Sequence, residues 1–415
     1  MAFDRRSFMQ AAGAVLVSLP LPGTALEADP QLKPMTGGAV PINAAEREAR
    51  IARAQDLMRQ QGLSAILMEP GASLLYFTGV RWGRSERLTG AVIPASGRIG
   101  IFTPFFEEPS VRETLAVPAD LRTWNEHEDP LALVGSWLKE RKLGSGTIGV
   151  EETVRYFAVD GLQRALPQAR IRSAAPVVRA IRMIKSPAEI ALMQLASDVT
   201  MAAYRHTHRR IEKGMTPQQI GAIMNGATTA LGGRPEFALV LLGEASAYPH
   251  GTGKPQEVRE GEVVLMDCGC TVQGYQSDIS RTFVFGEPSR RQREVWNAMH
   301  RGQQIAFEAA QIGIPAGQVD DAVREYYTKL GYGPDYKLPG LSHRTGHGIG
   351  LEGHEPINFV RGEQTRLAPG MCLSNEPGIY IPGEFGIRLE DCIYMTERGP
   401  RWFSKPPPSL DQPFA

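Results

Sequence analysis

Apolar and polar positions along this chain follow two rhythms, and the change between them marks its organisation. Asn43-Ala44-Ala45-Glu46 places a capping side chain three positions ahead of a glutamate that can reach back to it, which predicts a helix from there to Gln61, ended by Gly62. The short apolar run 63–68 that follows reads as a buried strand, and the same alternation continues with strands over 91–94, 98–103 and 147–150 and helices over 130–141 and 155–165. Residues 42–180 therefore predict an α/β domain. A sharper start follows at Ser186-Pro187-Ala188-Glu189, with a capping hydroxyl, a proline at the first helical position and a returning glutamate. Leu192, Leu195, Ala196 and Val199 then share one face, and Thr216-Pro217-Gln218-Gln219 opens another helix. The boundary between domains is expected at 178–185, with a second domain over 181–403. From 263 onward strands with glycine turns dominate, interrupted by one long helix over 289–312. No short internal repeat is present.

Composition narrows the function classes. A chain of 415 residues is long enough for two cores, and 42% apolar with 22% charged residues is ordinary for a soluble globular protein. Lysine plus arginine equals aspartate plus glutamate at 45 each, which argues against nucleic acid or an anionic membrane surface as partner. There is neither a GxGxxG element nor a Walker loop, so no nucleotide is implied. Cys268, Cys270, Cys372 and Cys392 form no CxxC pair and read as small buried core residues. Residues 1–28 have the order of an export signal: Arg5-Arg6-Ser7-Phe8-Met9-Gln10, an uncharged run 11–21, then small residues around Gly23, Thr24 and Ala25. The paired arginines before Phe8 resemble the twin-arginine type, which predicts a periplasmic or secreted protein. No later segment is long enough for stable membrane insertion.

Candidate chemistry is concentrated in two hairpins and the segment between them. The segment 263–285 reads as two strands around a turn near Gln273-Gly274, with Asp267 and Asp278 on opposite arms. Directly opposite or diagonal, they stand roughly 4.5 to 8 Å apart at the backbone, so both carboxylates can converge on one face. A second hairpin, 371–395 with its turn near Pro382-Gly383, places Glu376 and Glu390 equidistant from the turn. Between them, the run 343–355 carries four glycines, which argue against a helix and against His343 and His347 as a helical pair; His347 and His354 fit a site best. Four clustered carboxylates repel one another unless a cation lies among them. With one imidazole they supply donors for two divalent ions bridged by a hydroxide, and the oxygen-rich set favours manganese, cobalt or iron over zinc.

The order D(x10)D, then HGIG, EPGIY and GIRLE, resembles the pita-bread metallopeptidases: aminopeptidase P, Xaa-Pro dipeptidase (prolidase), methionine aminopeptidase and the related creatinase. The linker IRMIKSPAEI and the α/β half ahead of it resemble those of creatinase, prolidase and aminopeptidase P. The resemblance implies an α/β N-terminal domain plus an α+β C-terminal pita-bread domain. It implies Asp267, Asp278, His347, Glu376 and Glu390 as metal ligands, with Asp278 and Glu390 bridging and Glu376 also shuttling the proton of the attacking water. It implies His250 and His354 as residues that hold the scissile carbonyl or the developing charge, so that His250, His354 and Glu376 are catalytic. Arg388 would orient a ligand or the substrate carboxylate, with an ion pair to an acidic neighbour as the open alternative. Where several prolidases carry a tyrosine upstream of the first histidine, this chain has Glu236 and Phe237.

The activity so implied is hydrolysis of the bond between an N-terminal residue and proline in short peptides, by a homodimer using two divalent ions, manganese first and cobalt, iron or zinc as alternatives. A lyase such as the dimethylsulfoniopropionate lyases, or a non-peptide amidohydrolase, uses the same fold and stays open as an alternative. The preference for dipeptides or longer peptides is not legible.

Overall fold

A computed structural model describes residues 32–414 of the chain; the expected export segment lies outside the described residues. The N-terminal half is built on a six-stranded sheet of β1 (Ala65–Met68), β2 (Gly90–Pro94), β3 (Ile99–Pro104), β4 (Ala119–Trp124), β5 (Thr147–Val150) and β6 (Arg170–Ser173), in the order β4-β3-β2-β1-β5-β6. β2 pairs antiparallel with both β1 and β3, and the other neighbours are parallel. Helices α1 (Ala44–Gln61), α2 (Ala72–Thr78), α3 (Glu108–Thr114), α4 (Pro130–Glu140), α5 (Tyr156–Ala165) and α6 (Ala175–Arg182) surround it. Because side chains alternate along β1, Ile66 and Met68 join Met58 of α1 and Ile181 of α6 in one core, while Ala65 and Leu67 join Trp137 of α4 and Leu162 of α5 in another. Both faces are covered, and β1 is accordingly apolar throughout.

The C-terminal half starts at α7 (Pro187–His208), whose capping box between Ser186 and Glu189 is formed, and continues into α8 (Pro217–Ala230), capped the same way by Thr216 and Gln219. The face expected on α7 is the one that packs: Leu192, Ala196 and Val199 are buried in a core that Leu195 adjoins. Farther along, Tyr204 donates its hydroxyl hydrogen between the carbonyls of Met266 (2.9 Å) and Ile279 (2.6 Å), fastening α7 to the first candidate hairpin. That hairpin consists of β8 (Glu262–Val272), β9 (Tyr275–Gln276) and β10 (Ile279–Phe285), with β7 (Arg234–Leu242) on its far edge in the order β10-β8-β7. Its turn lies where expected, with both Gln273 (φ 53°) and Gly274 (φ 90°) in the left-handed region that a two-residue hairpin turn of the right twist requires.

Two helices follow, not the single one expected over 289–312. α9 (Arg290–Ala309) opens on a capping box at Ser289, and α10 (Gly317–Lys329) is a separate helix. The start of α10 carries no capping side-chain bond and has glycine at its first position, so the usual start signal is missing. Its fourfold spacing of Val319, Val323 and Tyr327 is nonetheless a buried helical face. The remaining strands are β11 (Gly346–Gly348), β12 (Glu355–Phe359), β13 (Cys372–Asn375), β14 (Gly378–Ile381), β15 (Phe385–Arg388), β16 (Asp391–Thr396) and β17 (Gly399–Trp402). Five of them form a sheet β12-β11-β13-β16-β17, and β14 pairs with β15.

α10 matters to the site through one buried ion pair. The Asp320 carboxylate receives Arg324 Nε at 2.7 Å and the hydroxyl and amide of Thr345 at 2.7 and 3.2 Å, while Arg324 donates to the carbonyls of Leu341 (2.9 Å) and His343 (2.6 Å). The pair thus pins the segment leading into β11. Arg324→Met, which strands the Asp320 charge in the interior, should lower the unfolding free energy by roughly 3–5 kcal/mol in a urea titration; a loss below about 1 kcal/mol would show that the pair holds nothing.

Candidate metal centre

Strand register brings the first two carboxylates together. Asp267 on β8 lies directly across from Ser280 on β10, and Asp278 is two residues before Ser280, so of the two arrangements open from sequence the structure adopts the diagonal one. The alternation that turns Asp267 toward the site turns Cys268 and Cys270 the other way into the core; all four cysteines are buried and free.

The second pair comes from a hairpin that opens at the critical level. Asn375 pairs with Asp391 and Gly378 with Arg388, which leaves Glu376 and Glu390 facing each other, as expected, between two separate ladders. At that level neither arm bonds to the other. The Glu376 amide donates to the carbonyl of Thr345 (2.9 Å), and Glu390 exchanges two backbone bonds with Ser280 (3.0 and 3.2 Å). Pro377, following Glu376, has no N–H with which to continue the ladder. One arm therefore clasps β10 and the other the approach to β11, and carboxylates from both hairpins face one point.

His347 comes from β11, where its amide donates to Ser374 Oγ at 2.9 Å. Glycine flanks it for lack of space: a Cβ on Gly346 would stand 2.1 Å from the Ser374 carbonyl oxygen, and one on Gly348 2.5 Å from that of Pro356. Nδ1 lies 3.0 Å from the Gly348 carbonyl, which can only accept, so the neutral ring carries its proton there. Nε2 then presents a lone pair to Glu376 Oε1 (3.2 Å), Asp278 Oδ2 (3.7 Å) and Glu390 Oε1 (4.0 Å). A lone pair facing three carboxylates is the arrangement of a ligand set. Asp278, His347 and Glu390 each offer a ligand atom within 4.8 Å of the others. Asp267 Oδ1, Asp278 Oδ1 and Glu390 Oε1 are buried without any hydrogen-bond partner.

Electrostatics agree with that reading. Among the described residues Arg388 is the one arginine or lysine bonded to any of the four carboxylates: it reaches Asp267 at 2.7 Å, and also Ser280 Oγ at 3.0 Å, the Tyr380 hydroxyl at 3.1 Å and the Pro249 carbonyl at 3.2 Å. Of its two open roles, the structure thus holds the ion pair with an acidic neighbour. Burial, then the charges of Asp267 and Glu376, pushes Asp278 well above the ordinary carboxylate range; burial, then Asp278, Glu376 and Asp267, does the same to Glu390. Burial opposes ionisation of Glu376, and it is positive charge on the rings of His347 and His343, with Arg388, that would hold that carboxyl low; with the rings neutral, a cation at His347 Nε2 would supply the charge in their place. Without an ion the site cannot keep all its carboxylates charged, and the donor set fits divalent metal.

All eight residues expected at the site line one cavity of about 560 Å³: Asp267, Asp278, His347, Glu376, Glu390, His250, His354 and Arg388. His354 stacks edge-on against His347, ring centroids 4.1 Å apart, while His250 stands on the exposed loop after β7. Although His354 reaches solvent, the protein packed around it, with His347 and Arg344, pushes its pKa down to about 4. Phe237 and Leu239 of β7, with Pro249, supply an apolar wall.

His343 also lines the cavity and was set aside in the sequence, where it was weighed only as a helical partner of His347. On extended chain the same even spacing keeps two side chains on one side, and that signal could have found it. Its Nδ1 lies 2.7 Å from the Arg344 carbonyl and so carries the proton, leaving Nε2 to accept from the Tyr380 hydroxyl at 2.8 Å. Burial pushes His343 down to about 4 and Tyr380 up to about 12. Tyr380 thereby links Arg388 to His343.

Partnerless buried carboxylates gathered around an imidazole lone pair beneath an open cavity suit a divalent cation. Residues 191–397 match metallopeptidase family M24 and residues 50–184 the creatinase/prolidase N-terminal domain. The chain is 34% identical over 359 residues to a probable dipeptidase, PepE, of Mycobacterium tuberculosis, covering 84% of this chain and 92% of that one. It is 32% identical over 339 residues to an Xaa-Pro dipeptidase of Lactobacillus helveticus, covering 80% and 90%. The crystal structure of dipeptidase PepE from Mycobacterium ulcerans superposes with a TM-score of 0.82 at 32% identity, covering 89% of this chain and 99% of that one. The chain belongs to metallopeptidase family M24, and its fold is the expected one, an α/β N-terminal domain ahead of an α+β pita-bread domain. No helix among the described residues is long and apolar enough to cross a membrane.

The raised carboxyls set a pH dependence. A carboxyl whose folded pKa lies above its unfolded value stabilises the fold below the unfolded pKa, and that contribution is lost as pH rises through the folded one. The chelated protein should therefore lose stability as pH rises above about 4, the ordinary carboxyl value, whereas bound metal replaces the shared protons and binds more tightly at the higher pH. The gap in Tm between metal-loaded and chelated protein should widen over that range; a constant gap would mean that Asp278 and Glu390 take no part in binding.

Proposed function

We propose that this metallopeptidase hydrolyses the bond between an N-terminal residue and proline in short peptides, holding two divalent ions, manganese first, on Asp267, Asp278, His347, Glu376 and Glu390. The observation that carries this is the excess of buried, partly unpartnered carboxylates around His347 Nε2 at the floor of a cavity with an apolar wall. The names of the relatives, dipeptidase and Xaa-Pro dipeptidase, support the substrate class.

Bound there, the ions would supply a Lewis acid and an activated water at neutral pH. The protein's own groups do the rest. Glu376, which receives Ser374 Oγ at 3.3 Å, can take a proton from the attacking water and return it to the leaving amine. His354 stays neutral at physiological pH and can offer one N–H to the scissile carbonyl as negative charge develops, with His250 supplying a second donor from the cavity's exposed loop. His343 spends its only proton on a backbone carbonyl, so it acts by orienting Tyr380, while Arg388 holds Asp267 and the substrate's carboxylate side of the cavity. Phe237, Leu239 and Pro249 offer the surface on which a pyrrolidine ring can pack.

After stripping and reloading with manganese, the protein should release an amino acid from an Xaa-Pro dipeptide, and Asp278→Ala should lose metal and turnover together. Cleavage of the same sequence extended by one residue, but not of the dipeptide, would assign it to the aminopeptidase P type. Failure on both with metal bound would sink the peptidase reading in favour of a lyase or a non-peptide amidohydrolase.

We further propose that residues 1–28 direct export of the folded protein, that domains 42–180 and 181–403 follow, and that the exported protein is a homodimer. The support for export is the order Arg5-Arg6-Ser7-Phe8 before an uncharged run. Replacing both arginines by lysine should leave the protein in the cytoplasmic fraction, and light scattering of the exported form should give the mass of two chains. Unchanged export of the double variant, or the mass of one chain, would refute the respective claim.

A further inference from the structure

One cluster of buried charge lies outside the centre just described, at the seam between the two halves. Glu355, the residue after His354, is 4% exposed. Its Oε2 receives Lys185 Nζ at 2.8 Å, and its Oε1 receives Arg182 at 2.6 Å together with the backbone amides of Leu351 (3.0 Å) and Glu352 (3.3 Å). The loop 351–354 is thus wound around a single carboxylate. Gly350 completes the contact, since a Cβ there would stand 2.8 Å from both Glu355 Oε1 and Lys185 Cε.

Both cations come from the linker, Arg182 as the last residue of α6 and Lys185 three residues on. Each is anchored elsewhere as well. Arg182 donates to Ser73 Oγ of α2 at 3.1 Å, and Ser73 in turn to Glu151 at 2.9 Å; the Lys185 amide donates to the Gly370 carbonyl at 2.8 Å. Burial opposes ionisation of Glu355, but Lys185 and Arg182 overcome it and bring its pKa down to about 2. The carboxylate is therefore charged at any physiological pH, and the tether is permanent.

The loop held in this way ends in His354, whose ring lies edge-on against that of His347. We infer that Lys185, with Arg182, positions His354 for turnover by fixing Glu355, so that the linker to the N-terminal domain is part of the active site's framework. This rests on the proposed role of His354 in turnover. Neither cation lines the cavity, so both are positioning residues and not catalytic ones.

The test is a double-mutant cycle on the manganese-loaded enzyme with the cleaved peptide. Lys185→Met should lower kcat by about ten- to a hundredfold, the scale expected when a catalytic group is displaced by about 1 Å, with metal content and KM little changed and with Lys185→Arg restoring most of the loss. In a His354→Ala background the same substitution should cost less than about twofold, because the group it positions is already gone. Effects that multiply across the cycle would overturn the inference, as would wild-type kcat in Lys185→Met. Full activity of His354→Ala alone would instead overturn the role of His354. Should the methionine variant be insoluble, Lys185→Ala, which likewise removes the donor to Glu355, runs through the same cycle with the same criteria.

Discussion

The structure depends on a hairpin that comes apart where it matters. Between Asn375 and Gly378 on one arm, and Arg388 and Asp391 on the other, the ladder is interrupted, and the backbone bonds of Glu376 and Glu390 are spent on Thr345 and Ser280. An unbroken ladder would still have paired the two glutamates, but it would have left β10 and β11 free of them. The interruption ties five chain segments into one floor: β8 with Asp267, β10 with Asp278 just ahead of it, β11 with its histidine, and the two arms with their glutamates. Backbone bonds are directional and hard to leave unmade in the interior, so the positions of the ligands are set by the main chain before any side-chain contact is considered.

Such a floor is costly. Each buried carboxylate carries a desolvation penalty of several kcal/mol, and among the described residues Asp267, Asp278, Glu376 and Glu390 share one directly bonded arginine, Arg388 on Asp267. The surroundings answer with rigid support. Behind Glu390, Arg281 and Asp391 form a fully buried pair at 2.6 Å, and Arg281 also donates to the carbonyls of Ser280 and Glu390, the two residues that clasp each other. Behind His347, Asp320 and Arg324 do the same for Thr345 and His343. A hydrophobic pair would match these ion pairs in stability. What it could not do is fix the neighbouring carbonyls, and the direction of those carbonyls aims the ligands.

Much of this was legible because it is local. The capping boxes at Ser186, Thr216 and Ser289 are formed, the turn at Gln273-Gly274 has the geometry its residues demand, and equal spacing from Pro382-Gly383 put Glu376 opposite Glu390. Alternation alone could not decide whether Asp267 faces Asp278 directly or diagonally, since a turn of one more residue changes the answer; β9 and the short turn settled it. α10 escaped notice because its start lacks a capping side chain, although its buried face was regular. His343 escaped because the Tyr380 hydroxyl it receives is brought to it by tertiary packing, and no spacing rule reports a bond across 37 residues.

The histidines at the cavity complete the electrostatic argument. Four carboxylates might be expected to draw protons onto every nearby imidazole, yet burial holds His343 and His354 well below neutrality. At His343 the loss of water, with the like charge of Arg388, outweighs the pull of Glu376, and at His354, which still reaches solvent, the protein packed on one side and Arg344 do the same. Neutral rings suit a cation site, since an imidazolium beside it would weaken ion binding by the same repulsion. Each neutral ring also has a single N–H, and a single donor can be aimed. At His343 a backbone carbonyl takes it, which fixes the ring for Tyr380.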